Sequence, residues 1–311
     1  YIIKNNRGNV RYDIKVNNSN KGIVKSYNDC IKRATGKYIF YLCIDDALYD
    51  KNVIKDVVRY FEKTNAYIFT GKMECYDENF KRYIKTYPDK YIQDKLTNEK
   101  TSEILKMMIY ANIIPGACTP FRKEIINYVG LIDERFTLLE DYPRYIEILK
   151  KDISIGFYDR KLIKYRLGGI TTNTKKNVIL EQDYSKLYEV YIKKFIEDKY
   201  KDIKYKNKEQ IGWGTSLGFK TSYKLLESTI NYQIQYLIDS NKKNYKLIIN
   251  NKKVVSPEFL NDKKNIFIWI FSETYYYSIS EVLKKNGLKE FEDFCIGTHK
   301  FIKILNELGK L

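Results

Sequence analysis

Two pairs of adjacent acidic residues are the features of this sequence best suited to chemistry. The first pair, Asp45 and Asp46, directly follows the apolar run of residues 37–44. The second pair is Glu140 and Asp141. Adjacent carboxylates repel each other and lose hydration when buried, so they need a cation or several hydrogen-bond donors to stay ionised. Because carboxylate oxygens suit magnesium or manganese ions that carry a phosphate, the first pair predicts such a site.

The apolar run before the first pair predicts where this site lies in the fold. A run this short, preceded by Gly36, is typical of a buried strand in a parallel sheet. Asp45 and Asp46 would then lie at the carboxyl end of the strand, where open α/β sheets bind their ligands. The alternative interpretation is that an isolated Asp-Asp pair only caps a turn or a helix.

The second acidic pair is expected at the N-terminus of a helix. Pro143 follows it closely, and proline is best tolerated in the first turn of a helix. Acidic residues there interact with the positive end of the helix dipole, which contributes about 0.3–1 kcal/mol. Glu140 and Asp141 can therefore be catalytic, or can simply stabilise the helix.

Composition and charge limit the classes of function. The chain has 311 residues, enough for two domains with their own cores. Its 56 Lys and Arg against 39 Asp and Glu give a net charge of +17, which favours anionic partners such as nucleotides or a phospholipid surface. The same charge is also compatible with a solvated lysine coat.

Cysteine and histidine usage narrows the chemistry. The five cysteines include no Cys-x-x-Cys pair, which predicts a reducing compartment and no structural zinc. His299 is the only histidine, so carboxylate chemistry is a better candidate than a Ser-His or Cys-His mechanism. No apolar stretch reaches 18 residues, and the first 30 residues lack a signal-peptide pattern. We therefore expect a cytoplasmic protein.

Hydrophobic periodicity predicts alternating strands and helices in the N-terminal half. Alternation indicates a half-buried strand over residues 10–16, and a further strand is expected over 66–70. Apolar residues recurring every three or four positions predict helices over 23–34 and 53–61.

The C-terminal half contains a glycine pattern like that of dinucleotide-binding units. Gly212, Gly214 and Gly218 precede a predicted helix, and Asp239 follows about 20 residues later at the end of a predicted strand. These four residues are candidates for binding a nucleotide. Leu217 occupies the usual place of the third glycine, so the alternative is a docking domain whose glycines only form a tight turn.

The order of motifs across residues 10–172 resembles the nucleotide-sugar glycosyltransferases of family 2, which have the GT-A fold. The resemblance implies an α/β fold with a mixed or parallel sheet sandwiched by helices. The resemblance rests on residues 18–22, Asn28 and residues 34–36, 43–46, 121–124, 129–134 and 139–141. The glycine pattern of the C-terminal half separately predicts a second, smaller Rossmann-like α/β domain.

The resemblance also implies roles for individual residues. Asp45 and Asp46 would hold a manganese or magnesium ion that bridges the diphosphate of a nucleotide-sugar donor. Asp141 would be the general base that deprotonates an acceptor hydroxyl in an inverting transfer, with Glu140 as its orienting neighbour. Further donor contacts are expected from Asn18, Gly22, Arg166 and the loop of residues 168–171.

The acceptor implied by the resemblance is a surface polysaccharide or a lipid-linked glycan. The positive charge predicts attraction to an anionic membrane carrying that acceptor, so the protein would act at the inner face of the membrane. Nucleic acid is not expected as a partner.

Two departures from the family pattern affect these expectations. The metal motif usually reads Asp-x-Asp-Asp, and here Cys43 replaces the first acid, which predicts weaker metal binding or a different metal. The family domain also opens with a strand, a helix and a second strand, which would need roughly 50 residues before Tyr1.

Together these features predict three segments and leave other functions open. We expect a GT-A glycosyltransferase domain over residues 1–180, a helical linker over 181–208 and a Rossmann-like domain over 209–311. The alternatives are a non-catalytic binding or scaffold protein with a degenerate glycosyltransferase domain, and a nucleotide-cofactor oxidoreductase acting through the C-terminal domain.

Overall fold

The computed structural model describes residues 11–168, 178–199 and 203–311. The helices are α1 (Ile23–Arg33), α2 (Val53–Thr64), α3 (Lys90–Asn98), α4 (Thr101–Tyr110), α5 (Ile126–Val129), α6 (Tyr142–Lys150), α7 (Val178–Leu187), α8 (Lys193–Lys199), α9 (Leu217–Ile230), α10 (Tyr276–Lys285) and α11 (His299–Glu307). The strands are β1 (Tyr38–Ile39), β2 (Ala47–Leu48), β3 (Phe69–Tyr76), β4 (Tyr83–Tyr87), β5 (Phe121–Arg122), β6 (Gly156–Arg166), β7 (Glu209–Trp213), β8 (Ile234–Ile238), β9 (Ile248–Ile249), β10 (Lys252–Val255), β11 (Ile266–Ile270) and β12 (Phe294–Ile296).

The N-terminal half contains a mixed four-stranded sheet of order β2-β6-β3-β4. Its central strands β3 and β6 run parallel, while β2 and β4 pair antiparallel at the two edges. Strands β1 and β5 form a separate antiparallel ribbon, joined to the sheet by the bridge between Ile68 and Phe121. The predicted α/β class is confirmed.

Helix α2 covers one face of this sheet. Val53, Val57 and Phe61 recur every four residues, and all three are buried. The ring of Phe61 packs against that of Phe69 in β3, with 4.7 Å between the ring centroids. The helix ends at Asn65 in a left-handed conformation, which asparagine tolerates better than most residues. The predicted helices over residues 23–34 and 53–61 are therefore confirmed as α1 and α2.

Two strand predictions in the N-terminal half are wrong. Residues 11–16 contain no strand, and their apolar side chains are exposed; residue 10 lies outside the described residues. The apolar run of residues 37–44 forms a strand only at Tyr38–Ile39, and Ile44 is fully exposed. Within the described chain, residues 40–44 have no neighbouring strand to pair with. An apolar run cannot form a sheet strand without backbone hydrogen-bond partners.

The C-terminal half contains a six-stranded sheet of order β12-β11-β7-β8-β10-β9. The first five strands of that order are parallel, and β9 is an antiparallel edge strand. The central position of β7, with β8 and β10 on one side and β11 and β12 on the other, is the strand order of doubly wound α/β sheets. The polar Gln210 in β7 is buried. Its burial is tolerated because its Oε1 accepts a hydrogen bond from Trp269 Nε1 at 2.8 Å.

The glycines around the start of α9 allow close packing of helix on strand. A Cβ atom on Gly218 would lie 2.2 Å from the carbonyl oxygen of Phe271, and one on Gly212 would lie 2.7 Å from Leu237 Cδ2. Gly214 has a φ of 108°, a conformation that residues with a side chain rarely adopt. The glycine pattern therefore predicts the strand, turn and helix correctly. The glycines are needed there because the helix packs closely on the strands.

One large apolar core joins helices of the N-terminal half to the six-stranded sheet, while the four-stranded sheet and α2 enclose a second, smaller core. The Tyr110 ring in α4 stacks on the Tyr276 ring in α10, with 4.1 Å between the centroids, and it also stacks on Phe301 in α11. Helices α7 and α8, joined by the π-helical segment Tyr188–Ile192, contribute the fully buried Ile196 to the same core. The segment predicted as a linker thus contacts both halves, through Tyr191 against Phe136 and Tyr188 against Phe301; residues 200–202 lie outside the described residues.

We predict that Gly218→Ala destabilises the protein. The new Cβ would clash with a backbone carbonyl, and such overpacking costs about 1–3 kcal/mol. Urea denaturation should show this loss, whereas Gly36→Ala should change the free energy of unfolding by less than about 1 kcal/mol, because Gly36 is exposed and its Cβ meets only Tyr38 O at 3.5 Å. Equal stability of the two variants would contradict this account of the glycine.

Candidate active site

A cavity of about 510 Å³ brings the two acidic pairs together. Asp45, Asp46, Glu140 and Asp141 all line it, although they lie far apart in the sequence. The first pair occupies the turn between β1 and β2, and the second pair lies at the N-terminus of α6. The strand β1 ends at Ile39, so the aspartates lie in the turn that follows it and not directly at the end of a strand as predicted.

Arg166 is the cationic partner of the first pair. The pairing of β2 with β6 brings this residue, at the end of β6, beside the acidic turn. Arg166 donates its backbone N–H to Asp46 Oδ1 at 3.1 Å, and its Nη2 lies 3.7 Å from Asp45 Oδ2. Burial is the main cause that raises the pKa of Asp46 to about 6, and the neighbouring Asp45 adds to it. Another cation beside the pair would reverse this shift.

The chemistry of the donor atoms fits a divalent cation on the two carboxylates. Cys43 Sγ and one oxygen each from Asp45 and Asp46 lie within 4.8 Å of one another. Burial raises the pKa of the Cys43 thiol, and the Tyr27 hydroxyl lies 3.3 Å from its sulfur. The thiol is therefore neutral at physiological pH, and the hard oxygen ligands that magnesium and manganese prefer come from the two aspartates.

Both carboxylate oxygens of Asp141 accept hydrogen bonds. Oδ1 accepts a hydrogen bond from Tyr142 N at 2.6 Å, which caps helix α6, and Oδ2 accepts one from Asn112 Nδ2 at 3.1 Å. The backbone at Gly116 passes so close that a Cβ there would lie 2.7 Å from Asp141 Oδ2. Asp141 therefore caps the helix, as considered from the sequence, and it also lines the cavity.

Glu140 and Asp141 differ in how well their charges are stabilised. Burial, together with the neighbouring Asp141, raises the pKa of Glu140 to about 8. Burial also raises the pKa of Asp141, but its bonds from Tyr142 and Asn112 act in the opposite direction. Asp141 is therefore the better-stabilised carboxylate of the two, because the hydrogen bonds from Tyr142 and Asn112 favour its charged form.

Several polar residues line the cavity but belong to none of the sequence motifs described above. Arg144 follows Asp141 by three residues on α6, so helical spacing alone could have suggested it. Its Nη1 donates to three backbone carbonyl oxygens, of Val129, Gly130 and Leu131. Tyr27, Asn112 and Tyr184 also line the cavity, and no local pattern marks them.

Other predicted site residues do not line this cavity. Asn18 is exposed, and Gly22, with a φ of 79°, is the N-cap residue before α1 and lies against Thr137. Gly168 lies in the turn after β6, whereas residues 169–171 of the predicted phosphate loop lie outside the described residues.

The candidate nucleotide residues of the C-terminal half have structural partners. Asp239 Oδ2 accepts hydrogen bonds from the Thr215 hydroxyl and from Asn244 Nδ2, and its Oδ1 accepts one from Asn241 N. Gly212 and Gly214 pack within the fold, and Gly218 lines a second cavity of about 260 Å³. The alternative prediction, that these glycines serve a turn, agrees with this packing.

The N-terminal half has a mixed α/β fold, consistent with the GT-A class, and the two acidic pairs line its cavity. Residues 3–130 match the family model of Glycosyl transferase family 2. The matched segment contains the first acidic pair and ends before Glu140. No curated protein sequence matches the chain. Among the described residues, no helix is both long and apolar enough to cross a bilayer.

Two crystal structures of Staphylococcus aureus TarS, residues 1–349, resemble the chain. The one in complex with UDP is 15% identical, covers 58% of this chain and 55% of its own, and has a TM-score of 0.36. The other is 14% identical, with coverages of 58% and 56% and a TM-score of 0.35. The chain therefore spans little more than half of the length of the solved chains that it matches.

The raised pKa of Glu140 predicts that stability falls as the pH rises. Between about pH 5 and pH 8 the folded protein keeps a proton on Glu140 that the unfolded chain releases. One such group lowers the free energy of unfolding by at most about 1.4 kcal/mol per pH unit. Chemical denaturation at several pH values should show that Glu140→Gln removes this part of the slope, whereas the exposed Glu197→Gln keeps it. Identical slopes for all three proteins would show that Glu140 titrates normally.

Proposed function

We propose that this protein is an inverting, metal-dependent glycosyltransferase that moves a sugar from a nucleotide-sugar donor to a hydroxyl of a surface polysaccharide or lipid-linked glycan. The observation that carries the proposal is the convergence of Asp45 and Asp46 with Glu140 and Asp141 on one cavity. Its volume of about 510 Å³ is within the usual range for small-molecule sites. The family 2 match of residues 3–130 supports the same class of reaction.

The first acidic pair and Arg166 are the donor-binding part of the proposal. Asp45 and Asp46 would hold a manganese or magnesium ion. When bound, such an ion offsets the negative charge that develops on the departing nucleotide. Arg166 lies beside both aspartates, and its guanidinium can form paired hydrogen bonds with phosphate oxygens.

Asp141 is the general base of the proposal. In an inverting displacement the acceptor oxygen bonds to the anomeric carbon while the bond from that carbon to the nucleotide oxygen breaks, and the hydroxyl proton passes to Asp141. Its hydrogen bonds from Tyr142 and Asn112 fix the carboxylate in orientation. Glu140, protonated at neutral pH, can donate a hydrogen bond but cannot take the proton.

The setting proposed for this reaction is the cytoplasmic face of an anionic membrane. The net charge of +17 would attract the protein to such a surface, over a range limited by salt screening. This would bring the cavity near lipid-linked acceptors.

A non-catalytic binding protein is the second candidate, and Cys43 is the observation that favours it. A neutral thiol in the place of a coordinating acid weakens the case for a metal. The oxidoreductase alternative has less support, because Asp239 already accepts three hydrogen bonds from its own domain.

We expect Asp141→Asn to lower the turnover number by about 100-fold or more, because the amide cannot accept the proton. The nearly isosteric change should leave the thermal unfolding temperature and the KM for the donor close to those of the wild type. Product formation from a panel of nucleotide sugars measures this effect. The matched control is Asp152→Asn, an exposed residue after the opposite end of α6. Full activity of Asp141→Asn would remove Asp141 as the base.

Metal binding separates the enzyme from the binding protein. Calorimetric titration of manganese with a nucleoside diphosphate should give binding to the wild type that Asp45→Asn and Asp46→Asn weaken by about tenfold or more. Cys43→Asp should tighten it by adding a carboxylate, while Asp159→Asn, an exposed residue paired with Lys72, should leave it unchanged. No heat with the wild type would favour the non-catalytic candidate.

A further inference from the structure

Asp183 of α7 is a completely buried carboxylate that does not line the cavity. Its Oδ2 accepts hydrogen bonds from three successive backbone N–H groups, those of Thr137, Leu138 and Leu139, at 2.7, 2.6 and 3.2 Å. The next residue in the chain is Glu140. The carboxylate therefore holds the backbone immediately before the second acidic pair.

The hydrogen bonds that Asp183 accepts from the backbone are of a strong type. Successive backbone N–H groups that converge on one point form an anion-binding concavity, as in many phosphate sites. Here the anion is a carboxylate of the same chain, and hydrogen bonds to a charged acceptor are about twice as strong as those between neutral groups. Its Oδ1 lies 3.5 Å from Lys186 Nζ, one turn further along α7.

The same backbone segment is also held at its beginning. Asn28 of α1, which is 1% exposed, donates to Ile132 O at 2.8 Å and accepts from Ile132 N at 2.9 Å. The connection between α5 and α6 is thus fixed by α1 near residue 132 and by α7 at residues 137–139. It has little freedom to shift, and it leads directly into the cap of α6.

We infer that Asp183 is a positioning residue for Glu140 and Asp141. This inference rests on the proposed function, in which Asp141 is the base. By fixing residues 137–139, Asp183 sets where the chain enters α6, and so where the Asp141 carboxylate lies relative to Asn112. Tyr184, the next residue on α7, lines the cavity, so the same helix contributes to the site directly as well.

Asp183→Asn tests this role. The amide keeps the size of the side chain, but removes its charge and places an NH₂ group against Lys186 or the backbone donors. A displacement of about 1 Å at a reacting group can cost about 100-fold in rate, so we expect the turnover number to fall by about 10- to 100-fold. The KM for the donor should stay within about threefold, because β2 and β6 position Asp45 and Asp46 independently of α7.

Two further measurements separate positioning from a general loss of stability. The pH profile of the turnover number should shift in Asp183→Asn, because Glu140 and Asp141 would sit in a changed environment. Glu181→Gln removes a charge from the exposed face of the same helix, and should match the wild type in turnover and pH profile. A wild-type turnover number and pH profile for Asp183→Asn would overturn the positioning role.

Hydrogen exchange of the amides of residues 137–139 tests the same contact without turnover. They should be protected in the wild type and exchange at least about tenfold faster in Asp183→Asn, at a pH where both proteins are folded. Exchange in the wild type at the rate of an unfolded chain would overturn the inference, even if the variant failed to fold. Protected amides in a protein that transfers no sugar would instead refute the proposed function while leaving the backbone contact established.

Discussion

The electrostatic cost of placing four carboxyl groups around one largely apolar cavity is the constraint on which the rest of the site depends. The protein meets it in different ways at the two acidic pairs. Arg166 supplies a positive charge and a backbone N–H to Asp45 and Asp46. At the second pair a proton on Glu140 and hydrogen bonds to Asp141 serve the same purpose. The two pairs are therefore stabilised by different groups: an arginine side chain and a backbone N–H at the first, and a proton and hydrogen bonds at the second.

The fold supports this division by holding the two pairs on separate elements. The first pair depends on the short pairing of β2 with β6, and the second depends on α6 and the backbone that leads into it. Buried polar side chains from α1 and α7, Asn28 and Asp183, fix that backbone through its own N–H and C=O groups. These two buried polar side chains therefore fix the position of the backbone near the site without lining the cavity.

Local sequence patterns predicted the helices and the acidic residues, because these follow from periodicity and residue type. The apolar stripe of Val53, Val57 and Phe61 is enough to define α2. The run of residues 37–44 predicted a longer strand than the structure contains, since a strand also needs a neighbour, which no single segment can reveal. Asn112 and Asp183 could not be found for the same reason: each acts through a contact with a residue far away in the sequence.

The stacking of Tyr110 on Tyr276 and Phe301 ties the two sheets into one body. Helices α4, α10 and α11 bury these aromatic rings against one another within the core that joins the two halves. Separating the halves would expose these rings to water, at a cost that grows with the apolar area uncovered. The contact between the halves is therefore part of the hydrophobic core. A substitution at Tyr110, Tyr276 or Phe301 would therefore remove contacts from both halves at once.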